Sequence, residues 1–149
     1  MFERRHGNSY AAADLDPIMR MLGIDYGKKK IGLAFGDTDT RVAVPLEVIV
    51  NNGARTLQAL CKKVSTDQMD CVIVGVPLAT GSHHGPEQLE ITRAFIKRLR
   101  GCCAVPVEEE DESYTTSESI HLQREGGTHA PEDALAAMLI LQGYMDRIS

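Results

Sequence analysis

Three apolar runs, at residues 21–26, 31–35 and 42–50, follow one another with too little chain between them for a helix. Each is short and carries β-branched or bulky residues, so each reads as a strand. "GKKK" at 27–30 joins the first two as a hairpin, and Pro45 places the third at a sheet edge or a bulge. After the turn residues "NNG" at 51–53 the period changes. Leu57, Leu60, Cys61 and Val64 recur at helical spacing, and "CVIVGV" at 71–76 reads as a strand buried on both faces. A helix follows Pro86, then a strand at 103–107, "CAVPV", which runs into the acidic block "EEEDE" at 108–112. A helix over 114–127 stops at Gly126 or Gly127, and a strongly apolar helix begins at Pro131 with acids in its first turn. The order β-β-β-α-β-α-β-α-α predicts an α/β fold, a mixed sheet with helices on its faces.

With 149 residues the chain fits one domain, expected over 21–149 behind a polar extension, 1–20, expected to be disordered. No apolar run reaches the roughly 18 residues a membrane span needs, and the extension lacks a secretory apolar segment. A cytoplasmic protein with no membrane partner is therefore expected, with Cys61, Cys71, Cys102 and Cys103 reduced and Cys71 a small core residue. The histidines and cysteines show no zinc-ligand spacing.

The net charge of −5, from 16 basic and 21 acidic residues, argues weakly against a nucleic-acid partner. The charge is nevertheless segregated. "KKK" at 28–30, "KK" at 62–63 and "RAFIKRLR" at 93–100 stand against the acidic block. Arg93, Lys97 and Arg100 share one helix face, either a solvated stripe or a nucleic-acid contact. Lys28 and Lys30 have the same two readings in the hairpin turn.

Acids stand at three places where folding alone does not ask for them. Asp25 ends the first strand, Asp111 and Glu112 end the last, and Asp133 lies in the first turn of the final helix. Strands ending on one sheet edge would gather these sites, and the final helix would lay the third beside them. Carboxylates so placed repel one another unless cations are bound. Oxygen ligands suit Mg²⁺ or Mn²⁺, and two such ions would serve phosphodiester hydrolysis. Each acid also has a plainer role: Asp133 complements a helix dipole, and the acidic block is solvated surface.

"GIDYGKKKIGLAFGD" at 23–37 resembles the first motif of the YqgF, or RuvX-like, family: an apolar strand, Asp, an aromatic, Gly, then a basic residue before Ile-Gly. Three further segments match in order. "VIVGVPL" at 72–78 is similar to its Gly-x-Pro segment, "DESYTT" at 111–116 to its Asp-Glu-Arg-x-Thr-Thr motif, and "DALAAMLILQGYM" at 133–145 to its closing helix. The resemblance spans about residues 21 to 147. It implies a ribonuclease H-like fold, a five-stranded mixed sheet whose first three strands are antiparallel.

It also implies a nuclease requiring Mg²⁺ or Mn²⁺, two ions in all, held by Asp25, Glu112 and Asp133. Asp111 is the alternative to Glu112, because alternation sends the two to opposite faces. Lys28, Lys30, Arg93 and Lys97 are the expected nucleic-acid contacts. Structured RNA, above all the 5′ end of pre-16S rRNA, is the expected substrate and branched DNA the alternative. A homodimer is left open as the assembly. Two departures weaken the expected phosphate clamp: Ser113 stands where the family has Arg, and the loop "EGGTHAPED" lacks the family's basic residues. A binding module of the same fold without turnover is the rival these departures support.

Overall fold

The computed structural model describes residues 17–78, 85–112 and 131–148. The helix expected over 114–127, Ser113, His83, His84 and the loop before the last helix lie outside them. So does most of the N-terminal extension. The described elements are β1 (Arg20–Tyr26), β2 (Lys30–Asp37), β3 (Val44–Val50), α1 (Ala54–Thr66), β4 (Cys71–Val76), α2 (Gly85–Cys102), β5 (Val107–Asp111) and α3 (Glu132–Ile148).

One sheet runs in the order β3-β2-β1-β4-β5. β1 and β2 form the expected hairpin and β2 and β3 are also antiparallel, whereas β4 and β5 add in parallel to β1. The expected five-stranded mixed sheet is thus present. Pro45 sits on an edge strand at a register shift opposite Leu33 and Ala34, where a missing N–H is tolerated. β4 is buried along its whole length, as an uninterrupted apolar run requires. The first strand begins at Arg20, one residue earlier than expected, and the Met19 N–H donates to Thr38 Oγ1.

Helices cover both faces. α1 and α2 bury Leu60, Val64, Phe95, Ile96 and Leu99 against Leu22, Ile24, Val72 and Val74. On the opposite face α3 buries Ala137, Ile140 and Leu141 against Met21, Ala34 and Ile73. Alternation along each strand divides its residues between these two layers. Among the described residues, no helix is long and apolar enough to cross a membrane.

The last strand departs from expectation. The acidic block forms it, and "CAVPV" before it contributes only Val107. Glu109 takes a two-pronged ion pair from Arg93 at 2.8 and 2.9 Å, and Arg100 donates to the Val107 carbonyl. From the other face the Tyr144 hydroxyl donates to Glu108 at 3.1 Å and Arg147 to Glu110 at 2.6 Å. An edge strand with one buried residue can be acidic when the helices beside it supply donors.

Candidate active site

Asp25 owes its position to the pleat of β1. Leu22 and Ile24 enter the α1–α2 layer, and Tyr26 stacks on Phe95 there, with ring centroids 4.1 Å apart. The alternate residues Met21, Gly23 and Asp25 therefore face α3. Gly32 is the cross-strand partner of Asp25. A Cβ there would fall on the carbonyl oxygen of Asp133, so the bare backbone lets the first turn of α3 rest directly on β2. That contact brings Asp133 to the strand end where Asp25 stands.

β5 alternates in the same way. Glu108 and Glu110 meet α3 while Glu109 meets α2, which puts Glu112 on the α3 face and Asp111 on the other. The Glu112 N–H donates to the Val76 carbonyl at 3.0 Å, carrying the pairing one residue past the strand. Its Oε1 lies over Gly75, 3.3 Å from where a Cβ would project. Asp25, Glu112 and Asp133 thus gather on one face at the edge where β1, β4 and β5 end.

The electrostatics follow from this crowding. Asp25 is half-buried, and its pKa rises from 3.8 to about 7. Desolvation is the largest cause, followed by the charges of Glu112 and Asp133, and all three act in the same direction. A divalent cation would reverse that balance, and an all-oxygen donor set suits a hard one. The three carboxylates are not all within 4.8 Å of one another.

The expected basic residues separate into two groups. Lys28 and Lys30 are exposed in the turn that follows Asp25, and that turn is held by Asn51, whose side chain donates to the Gly27 carbonyl. Arg93 and Lys97 lie on α2, in the layer opposite α3, and Arg93 is paired with Glu109. Two members of that stripe hold β5, Arg93 through Glu109 and Arg100 through the Val107 carbonyl. Gly32 was legible only as a hairpin glycine. Its place opposite Asp25 follows once the hairpin is centred on Lys28 and Lys29, but its contact with α3 is tertiary.

A five-stranded mixed sheet in this order, with helices on both faces, is a ribonuclease H-like fold. Residues 19–147 match the RuvX family model, described as Holliday junction resolvase, and the chain belongs to that family. A Bordetella petrii relative named "Putative pre-16S rRNA nuclease" is 39% identical over 133 residues, covering 89% of this chain and 98% of the relative. Among solved structures, Thermus thermophilus RuvC aligns with a TM-score of 0.59 at 15% identity, covering 87% of this chain and 96% of that one. The Fowlpox virus resolvase, solved with its Holliday junction substrate, aligns with a TM-score of 0.54 at 12% identity over 87% and 99% of the two chains. At such identities the likeness is one of fold.

Proposed function

We propose that the chain hydrolyses phosphodiester bonds in structured nucleic acid with divalent metal, Mg²⁺ or Mn²⁺, and that the 5′ end of pre-16S rRNA is its substrate. The convergence of Asp25, Glu112 and Asp133 on one face of the sheet carries this reading. The name of the Bordetella petrii relative supports the choice of RNA, and the family description supports branched DNA as the alternative. Two ions bound there would lower the pKa of an attacking water and stabilise the leaving oxygen. Asp25 would hold its ligand from the rigid end of β1, and Glu112 from beside the β4 backbone. Asp133 would hold its own from a helix whose first turn is braced on Gly32. Lys28 and Lys30 would meet substrate phosphate beside the acids.

The test is cleavage of labelled pre-16S rRNA and of a four-way DNA junction in Mg²⁺ or Mn²⁺. Metal-dependent cutting of the RNA supports the reading, cutting of the junction alone moves it to DNA, and binding without cutting replaces it with the binding module. Glu112→Gln is expected to lower the rate by about 100-fold or more, and Asp111→Asn by less than about threefold, since alternation puts only Glu112 beside Asp25. Equal losses in the two variants would remove the assignment.

Lys28→Ala with Lys30→Ala should weaken binding to RNA and DNA alike and flatten the log–log salt dependence by about one to two. An unchanged slope would mean that these lysines touch no phosphate.

A further inference from the structure

Three sulfurs meet far from the acids, where α1 packs against the end of α2. Cys61 of α1 is joined to Cys102, the last residue of α2, with their Cα atoms 6.1 Å apart, and the reduced thiols expected from sequence are not what the structure holds. The Cα spacing lies within the usual disulfide range. Cys103 is a free thiol whose sulfur lies 3.6 Å from that of Cys61, and all three sulfurs are within 4.8 Å of one another. Cys102 is exposed, whereas Cys61 and Cys103 are half-buried and pack against the main core.

We propose that Cys61, Cys102 and Cys103 form a thiol–disulfide exchange centre in which Cys61 is the shared sulfur and a low-molecular-weight disulfide, such as oxidised glutathione, is the oxidant. The exposed Cys102 thiolate attacks that disulfide, forming a mixed disulfide and releasing one thiolate. The Cys61 thiolate then attacks the Cys102 sulfur and displaces the second thiolate. The sum is one protein dithiol oxidised, one small disulfide reduced to two thiols, and the two cysteine protons passed to them. The Cys103 thiolate can next attack the Cys61 sulfur, forming Cys61–Cys103 and freeing the Cys102 thiolate at the surface, with no net change of oxidation state.

Adjacency in sequence is what allows the exchange, because Cys102 and Cys103 approach one sulfur from a single chain turn. A structural zinc site fits less well, for it needs four ligands and three sulfurs are gathered among the described residues. The bridge ties α1 to the end of α2 across 41 residues, so its expected effect is on stability. α2 runs back from the ends of β4 and β5 to their starts, so the centre sits at the sheet edge away from Asp25, and the rate of cleavage should not change with oxidation.

The full chain is equilibrated with reduced and oxidised glutathione, blocked with N-ethylmaleimide, and mapped by peptide mass spectrometry. Oxidised protein should contain both Cys61–Cys102 and Cys61–Cys103, with buried Cys71 unmodified until denaturation. Cys103→Ser should retain only the first bridge and Cys102→Ser only the second. Cys61→Ser should form neither. Oxidation should raise the melting temperature of the wild type by about 5–10 °C, and of Cys61→Ser not at all. Three alkylated thiols under oxidising buffer, or a Cys102→Ser chain that folds but forms no bridge, would overturn the proposal. So would stoichiometric zinc released by a mercurial from the protein as purified.

Discussion

Asp25→Asn is expected to abolish metal-dependent cleavage, a fall of at least about 1,000-fold, and at the same time to make the metal-free protein more stable at pH 8. The two effects share one cause. Asp25 has a pKa of about 7 in the folded chain against 3.8 as its ordinary value, because burial and the charges of Glu112 and Asp133 oppose its ionisation. Between those pH values the folded protein holds a proton that the unfolded chain has released. Stability therefore falls as pH rises from about 4 to about 7 and is flat above.

Converted at 1.4 kcal/mol per pH unit, the penalty at pH 8 is roughly 2–4 kcal/mol, the lower figure allowing for the solvent that reaches this half-buried residue. Asparagine keeps the shape and discards the charge. In EDTA its melting temperature should exceed the wild type's by about 5–10 °C at pH 8 and by little at pH 4. Added Mg²⁺ should stabilise the wild type at pH 8 and leave the variant where it was. Melting curves at the two pH values, with and without metal, decide it. A variant that melts below the wild type at pH 8 would mean that the carboxylate serves the fold rather than a metal.

The strand that leads into Glu112 was the least legible of the described elements. Local pattern favours "CAVPV" as a strand, since it is apolar, and reads four glutamates and an aspartate as solvent-facing loop. What makes the acids a strand comes from far along the chain: Arg93, Tyr144 and Arg147 stand 16, 36 and 37 residues from the acids they meet. No window of ten or fifteen residues contains those pairs. The β1–β2 hairpin, β4 and α3 were legible because their signals are local, in apolar periodicity, turn glycines and an acidic first turn. The choice between Asp111 and Glu112 needed only the alternation of a strand, and its phase is set by the three long-range pairs. The sulfur centre had no local signal at all, for Cys61 and Cys102 meet only once α1 lies beside α2.

Gly32→Ala should be among the most damaging single-methyl changes in the protein. The added carbon meets backbone, the Asp133 carbonyl and the Ala134 nitrogen, and backbone in the first turn of a packed helix cannot rotate away as a side chain can. At Gly75 the nearest obstacle is instead the end of the Ile140 side chain, which can change rotamer. The first turn of α3 must therefore lift from β2, or β2 must move from β1. Overpacking of this kind costs about 1–3 kcal/mol in ordinary cores, and more where no side chain can yield, so a melting temperature lower by about 5–10 °C is expected. Gly75→Ala should cost less than half of that.

The functional consequence separates the glycine from a purely structural one. Asp133 would leave the neighbourhood of Asp25, so the metal-free pKa of Asp25 should fall toward the ordinary carboxylate range while Mg²⁺ affinity and cleavage fall with it. Restoring the melting temperature of Gly32→Ala with stabilising changes elsewhere should not restore cleavage, because the loss lies in the distance between two carboxylates rather than in the population of folded protein. Recovery of full activity on such restabilisation would show that Gly32 matters to the fold alone.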